Sequence, residues 1–461
     1  MRDTCAVLSW AASGAMALTG MPDGMPVASP APALAVLGQV TAEFSRVTGK
    51  TGTPVDADPA ELIAARAGFA GLTRGGQVSA GGASFLLRAA DGWCAVTLSR
   101  PDDVAAVPAI AGVLGRDTAA LSGIASREGA RAALTAVALG TPAEDFAAAA
   151  QLAGVPAAAL PAASALPATA PAPPLGGNGA LTGATGWTPG RATRIAAPLP
   201  GAGRAGPVVA DLSSMWAGPL CARLLGLAGA QVIKVESTAR PDGARRGNPE
   251  FFDWLHAGHR SVSVDFGPGA GRAALAALLE VADVVIEASR PRALAALGLA
   301  PDMIRHRPGR VWLSITGYGR GFPERVAFGD DAAVAGGLVG WAPGESSPEP
   351  VFCADAIADP LAGACGALAV ALSLAAGGGE LIDLSMRDVA AAFAAAGPGI
   401  APDHGPHEVL SGGIVRCPRS RREQAVRPPR RPAPPAAGRA AERGADTGAV
   451  LAWLAARPAP C

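Results

Sequence analysis

The residue with the clearest chemical potential in this chain is an aspartate at the start of an apolar stretch. Asp359 is followed by Pro360 and then by the apolar residues 361–374. This order predicts a helix with Asp359 as its N-cap and Pro360 in the first helical position. The positive end of the helix dipole would keep the carboxylate ionised. On the residues alone, a plain capping role is the favoured interpretation.

A second group of polar residues follows the predicted strands. Asp211, Glu236, Glu287 and Thr316 each end or directly follow such a strand, and Ser289 and Arg290 come shortly after Glu287. Ligands of parallel sheets bind beyond the carboxyl ends of the strands. The loop around Trp216 and Ala217 precedes a predicted helix, whose free backbone N–H groups suit a phosphate or a phosphate-bearing chain. These positions are the candidate binding residues.

The elements that must position these residues alternate between strand and helix. Strands are predicted at 208–211, 231–235, 283–287 and 311–315, and helices at 217–228, 271–281 and 292–297. Short β-branched runs that alternate with helices predict a parallel sheet covered on both faces, hence the α/β class. A short hairpin is also predicted from residues 413–416 and 423–426.

Composition narrows the class of partner. Lys plus Arg and Asp plus Glu number 38 each, so no net charge attracts nucleic acid or an anionic membrane. We expect no membrane span either, because we find no stretch near the roughly 18 consecutive apolar residues that one needs. A small-molecule ligand is the expected partner.

The seven cysteines are widely spread, without a C-x-x-C pair or a metal-ligand spacing with histidine. This pattern is typical of reduced thiols in the cytoplasm. Residues 6–19 are apolar enough for a secretory signal, but the acidic Asp3 disfavours that interpretation. The expected location is therefore cytoplasmic.

Segments in a fixed order give the chain a family resemblance. Residues 209–236 open the series with V-A-D-L-S-S-M-W-A-G-P-L. The further segments are 256–265, 282–287, 297–299, 314–319, 358–363 and 379–383. In this order and spacing the chain resembles the family III (CaiB/BaiF) CoA-transferases. The resemblance implies a Rossmann-like open parallel-sheet large domain with a second, smaller α/β domain.

The resemblance also implies site residues and substrates. The position of Asp359 matches the family's nucleophile, a carboxylate that attacks an acyl-CoA thioester and later carries CoA as an aspartyl thioester. His259 and Arg260 match a basic pair near the CoA phosphates, and Arg245 and Arg246 lie in the matching variable loop. The expected partners are an acyl-CoA and a small carboxylic acid. Coenzyme A is then a substrate, with no cofactor or metal, and a homodimer is one expectation.

The order of the matching segments is unusual. Residues 80–160 resemble the family's small domain, which follows the catalytic half in the family but precedes it here. Residues 1–50 resemble a partial second copy of the catalytic region, with Leu34 in the place of Asp359. The other predicted parts are a Pro/Ala/Gly-rich linker at 161–205, the large catalytic domain at 206–397, and an Arg/Pro-rich segment with a closing helix at 398–461. The resemblance thus implies a permuted or partly duplicated transferase.

Three other functions stay open at this point. A non-catalytic CoA-binding or scaffold protein would fit the copy that has Leu34 and the Arg/Pro-rich tail. An acyl-CoA racemase is disfavoured, because Asp330 stands where that branch of the family has a catalytic histidine. A dehydrogenase is disfavoured because the first strand-to-helix turn lacks G-x-G-x-x-G.

Overall fold

A computed structural model describes residues 5–457 except 29, 31, 122, 163–189, 202–205 and 396–403. The N-terminal part forms three helices, α1 (Ala6–Ala12), α2 (Pro32–Gly49) and α3 (Pro59–Ala70). Asp58 caps α3 by accepting a hydrogen bond from the Ala60 N–H, and Pro59 follows in the first turn. A buried apolar stripe on α2, which includes Leu37 and Phe44, faces the core of the protein.

The next part is a small antiparallel sheet with four helices. Its strands are β1 (Ser84–Arg88), β2 (Trp93–Thr97) and β3 (Ala157–Ala159), with β2 in the middle. Between β2 and β3 lie α4 (Pro101–Ala105), α5 (Val107–Val113), α6 (Arg127–Leu139) and α7 (Ala143–Leu152). The small sheet and its helices share a separate hydrophobic cluster, which includes Phe85, Val96, Leu134 and Phe146. This part has the helix and strand content of the predicted smaller α/β unit.

A seven-stranded sheet organises the rest of the chain. Its strands are β4 (Arg191–Arg194), β5 (Val208–Asp211), β6 (Gln231–Ser237), β7 (Arg260–Val264), β8 (Val284–Glu287), β9 (Val311–Thr316) and β12 (Glu380–Ser385). They lie in the order β4-β12-β9-β8-β5-β6-β7, and all neighbours are parallel except β4 and β12. Without β4 this is the Rossmann order, with β5 in the centre. The α/β class and the Rossmann-like sheet are confirmed.

Helices cover both faces of this sheet. They are α8 (Ala217–Leu227), α9 (Pro249–His256), α10 (Ala270–Val281), α11 (Pro291–Ala296), α12 (Gly329–Ala335), α13 (Ala358–Ala375) and α14 (Met386–Ala394), with a short hairpin of β10 (Gly340–Ala342) and β11 (Glu349–Val351) after α12. The helix α13 packs closely on α8 and also on α2. Gly363 permits the close packing of α13 on α8, because a Cβ at this position would lie 2.6 Å from the Ala217 carbonyl oxygen.

Among the residues that the structure describes, one helix has the length and apolar composition of a membrane span. It is α13, and 83% of its apolar window is buried inside the protein. From the sequence, no stretch of this kind was expected. Packing against α8 and α2 gives the helix the surroundings of a core helix.

The C-terminal part returns to the sheet. The strands β13 (Glu408–Leu410), β14 (Ile414–Arg416) and β15 (Glu423–Ala425) form a small antiparallel sheet, which confirms the predicted hairpin. The closing helix α15 (Thr447–Ala455) packs beside β7, where Asp446 and the Thr447 hydroxyl accept hydrogen bonds from the Ser261 and Ser263 N–H groups. Most of the predicted linker, residues 163–189 and 202–205, lies outside the described residues, and β4 lies within its remainder.

Candidate active site

A cavity of about 340 Å³ opens at the carboxyl end of the large sheet. It is lined by residues that follow β5, β8 and β9, among them Met215, Ser289 and Gly317. The neighbours β5 and β8 are where the order of the strands reverses, so their connections leave in opposite directions and open a crevice. The cavity therefore occupies the position where open α/β sheets bind their ligands.

Asp359 lies on the wall of this cavity. The helix α13 begins one residue before it, with Ile357 as the N-cap, so the prediction that Asp359 itself caps the helix is wrong. Its carboxylate instead accepts a hydrogen bond from the backbone N–H of Gly329, at the start of α12. A Cβ at Gly329 would lie 2.4 Å from Asp359 Oδ2. Only glycine therefore allows this close approach of carboxylate and backbone.

The electrostatic surroundings of Asp359 differ from those predicted. Burial raises the pKa of this carboxyl group to about 7, and Asp330 and Asp355 add to the rise. Arg66 and the Gly329 N–H act in the opposite direction. Its position at the start of a helix thus does not keep Asp359 fully ionised, because the cost of removing the charged carboxylate from water exceeds the stabilisation that the helix provides.

The N-terminal part of the chain supplies the cation. Arg66, on α3, binds Asp355 with two hydrogen bonds, one of them from Nε to Oδ2 at 2.8 Å. Asp355 is fully buried in the loop before α13. The guanidinium also lies 5.5 Å from the Trp216 ring centroid. Arg66 therefore joins the N-terminal helices, the loop before α8 and the start of α13 around Asp359.

Asp330 and Asp331, at the start of α12, accept hydrogen bonds that hold parts of the fold together. Asp330 accepts hydrogen bonds from Ser84 Oγ at 2.9 Å and from the Ala356 N–H at 3.0 Å. Asp331 accepts from Thr97 Oγ1 at 3.0 Å and from the Phe328 N–H at 2.9 Å. Both side chains thus hold the small sheet against the start of α12.

Four arginines surround the cavity. They are Arg100, Arg240, Arg290 and Arg325. Burial lowers the pKa of Arg290, and the like charges of Arg292, Arg100 and Arg240 lower it further. Among the described residues that line this cavity, Asp359 is the one acidic residue. The arginines give the entrance a positive potential that suits the phosphates or the carboxylate of a ligand.

Strained backbone occurs close to the same cavity. Met215, which lines it, has a φ of 73°, and Ala354 and Ala356, on either side of Asp355, have φ values of 52° and 42°. Left-handed conformations of residues other than glycine cost roughly 1–3 kcal/mol each and concentrate at functional sites. The strain lies in the two loops that lead into α8 and α13.

The structure brings together four of the predicted site residues. Ala217, Ser289, Arg290 and Asp359 all line the cavity. Trp216 does not line it, because its ring is buried edge-on against Phe251, with centroids 5.3 Å apart. Trp216 therefore packs into the core and stabilises the loop before α8 without lining the cavity.

The other predicted phosphate contacts do not line this cavity. Arg245 is paired with Glu236 at 2.6 Å and lies over the Phe252 ring, while Arg246 is exposed beside it. His259 is buried, which lowers its pKa to about 3, so a neutral imidazole replaces the expected cation. Arg260 is exposed at the first position of β7, opposite Ile233 and away from the carboxyl end of the sheet. The geometry of the cavity supports none of these four as a contact.

Several residues of the site were missed from the sequence. Arg66 and Arg100 come from elements more than two hundred residues before Asp359. Arg240 and Arg325 stand in loops without a recognisable motif. A signal did exist for Gly329, because it directly precedes the acidic pair Asp330-Asp331.

Sheet order defines a Rossmann-like α/β protein with a cavity at the carboxyl end of its sheet, and comparison with known proteins shows which family it resembles. Residues 205–412 match the family described as CoA-transferase family III. The chain is 32% identical over 200 residues to an acyl-CoA transferase of Fusarium pseudograminearum, covering 39% of this chain and 44% of the relative. It is 32% identical over 207 residues to a succinate–glutarate CoA-transferase of Agrobacterium fabrum, covering 41% and 52%.

Solved structures give a partial match of the same kind. A CaiB/BaiF family protein from Brucella suis matches at 30% identity with a TM-score of 0.37, over 42% of this chain and 55% of that one. The chain thus spans about half the length of the relatives named here. Residues 205–412 are thus similar to CoA-transferase family III.

Proposed function

We propose that this protein transfers CoA from an acyl-CoA to a carboxylic acid, with Asp359 as the nucleophile. The observation that carries the proposal is the position of Asp359, whose carboxyl group lies on the wall of a cavity ringed by four arginines at the carboxyl ends of the strands. A carboxylate is the nucleophile that this exchange needs, because its acyl derivatives are reactive enough to pass CoA on.

Each step conserves bonds and charge. The Asp359 carboxylate attacks the thioester carbonyl, and the C–S bond breaks to give a mixed anhydride and the CoA thiolate. The thiolate attacks the aspartyl carbonyl, which releases the donor acid as a carboxylate and leaves CoA on Asp359 as a thioester. The acceptor carboxylate then repeats the two steps in reverse, so that a new acyl-CoA leaves and the Asp359 carboxylate is restored.

The neighbouring residues have distinct roles in this scheme. The Gly329 N–H contacts the Asp359 carboxylate directly and fixes its orientation. Arg66 does not line the cavity, and it acts as a positioning residue that favours the ionised form of Asp359. The four arginines at the cavity suit the CoA phosphates and the departing carboxylate. CoA enters as a substrate, and a cytoplasmic location and a homodimer are expected along with this function.

Racemisation is the less favoured second function. It needs a base at the position of Asp330, but Asp330 does not line the cavity and is engaged by Ser84 and Ala356. A non-catalytic CoA-binding protein is the other alternative. The following experiment separates it from a transferase.

Trapping the intermediate tests the proposal. After incubation with a panel of acyl-CoAs, borohydride or hydroxylamine converts an aspartyl thioester into a stable product, which peptide mass spectrometry assigns to a residue. We expect the modification at Asp359. CoA binding without any adduct, from every donor of the panel, would favour the non-catalytic alternative.

Replacement of Arg290 tests the arginines at the cavity. Arg290→Ala removes a partly buried cation from the cavity, so we expect the KM for acyl-CoA to rise about tenfold or more, the effect of one lost charge-assisted hydrogen bond. Arg292→Ala is the matched control, because Arg292 is exposed, pairs with Glu324 and does not line the cavity. Equal KM values for the two variants would contradict this role of Arg290.

A further inference from the structure

The start of the described chain meets the segment around β13 and β14 in a cluster of cysteine and histidine residues. Cys5 precedes α1, His404 precedes β13, and Cys417 follows β14. One ligand atom from each of the three lies within 4.8 Å of the other two, and all three residues are buried. Both cysteines are free thiols.

A second histidine, His407, lies beside these three residues and contacts one of them. His407 Nε2 lies 2.9 Å from Cys5 Sγ, and His404 Nδ1 lies 3.1 Å from Cys417 Sγ. The other nitrogen of His407, Nδ1, lies 3.0 Å from the Gly405 carbonyl oxygen. A hydrogen bond from Nδ1 to that carbonyl fixes the tautomer and leaves the Nε2 lone pair directed at the cluster.

The turn after Cys417 holds its sulfur in place. The Cys417 N–H donates to the Arg422 carbonyl at 2.9 Å, and the Arg421 N–H donates to the Cys417 carbonyl at 3.0 Å. The Ser420 N–H points at Cys417 Sγ from 3.4 Å. Backbone N–H groups directed at a sulfur stabilise it as a thiolate, the form that binds metals.

We propose that Cys5, His404, His407 and Cys417 bind one zinc ion in a closed tetrahedral site. Two thiolates and two imidazoles form a common structural zinc set. With zinc bond lengths of about 2.0–2.3 Å, tetrahedral ligand atoms lie about 3.3–3.8 Å apart. The contacts of 2.9 and 3.1 Å would widen by under about 1 Å, and His407, which is outside the three residues whose ligand atoms all lie within 4.8 Å of one another, would move closer to the rest of the set. Without an open coordination position, this zinc is structural.

The zinc site would join parts of the chain that already touch. The helix α1 packs against β14 and β15, and the Arg427 N–H donates to the Ala11 carbonyl at 2.8 Å. A metal there crosslinks Cys5 to residues some four hundred positions later, and its binding energy adds to the stability of the folded state. The sequence has no recognisable metal-ligand spacing, because a ligand at position 5 lies about four hundred residues from the others.

The test is the metal content of the purified chain, expressed without a histidine tag. We expect about one zinc per chain by elemental mass spectrometry in the wild type and a loss of most of it in Cys417→Ser. The matched control is Cys94→Ser, which alters a buried thiol outside the cluster that contacts the Leu87 carbonyl. This control keeps its zinc.

Cobalt titration of the wild-type chain covers the case in which Cys417→Ser fails to fold or zinc is lost during purification. After chelator treatment, one equivalent of Co²⁺ is expected to give the absorption of tetrahedral thiolate-bound cobalt and to raise the Tm. Zinc retained in folded Cys417→Ser overturns the proposal, as does a wild-type chain that binds neither metal.

Discussion

Replacing Asp359 by asparagine is expected to lower the rate of CoA transfer by about a thousandfold or more, since an amide does not form the aspartyl thioester. The substitution keeps the size of the side chain and an oxygen that accepts the Gly329 N–H. The fold is therefore expected to persist, and CoA binding should change little. Initial rates with the best donor and acceptor measure the loss.

Asp331→Asn is the matched control for this change. Asp331 is a second buried acid close in the chain to Gly329, but it does not line the cavity. Burial raises the pKa of Asp331 to about 8, so its neutral form already predominates at pH 7. An asparagine oxygen accepts the same hydrogen bonds from Phe328 and Thr97, and we expect near-normal transfer. Comparable losses in both variants would mean that Asp359 acts through structure alone.

The large sheet was predictable because its signals are local. Short runs such as 208–211 and 311–315 consist mostly of β-branched or apolar residues, and they fall within β5 and β9. The loop before the first predicted helix indicated Ala217, and the end of the predicted strand 283–287 indicated Ser289 and Arg290; all three line the cavity. Features that depend mainly on the local sequence could therefore be predicted.

Residues whose role depends on distant partners were not predicted. His259 looks like a surface cation in the sequence, but the fold buries it and leaves the imidazole neutral. The ionisation of Asp359 was predicted from its helix, whereas burial beside Asp330 and Asp355 controls it. Arg66 had no signal, because nothing in residues 59–70 indicates that α3 packs near α13. Tertiary packing, which a local pattern does not encode, determines all three.

The pH dependence of transfer is expected to follow the ionisation of Asp359 and to change with Arg66. The carboxylate is the reactive form, and its pKa is about 7, so kcat/KM should rise with pH through 7 and level off above it. Arg66 lowers this pKa, hence Arg66→Gln raises it. We expect the acidic limb of the profile to move upward by about one pH unit or more, which makes transfer below pH 7 about tenfold slower.

Two further variants separate charge from structure in this result. Arg66→Lys keeps the cation, so its acidic limb should stay closer to that of the wild type. Arg66→Gln also leaves the fully buried Asp355 without its cation, which is expected to cost about 3 kcal/mol of folding free energy. The double variant Arg66→Gln/Asp355→Asn should recover much of that stability in denaturant unfolding. The Asp355 charge raises the pKa of Asp359, and the double variant removes that charge. Its acidic limb should therefore lie at lower pH than that of Arg66→Gln. A profile that is the same in all variants would show that the acidic limb reports a group other than Asp359.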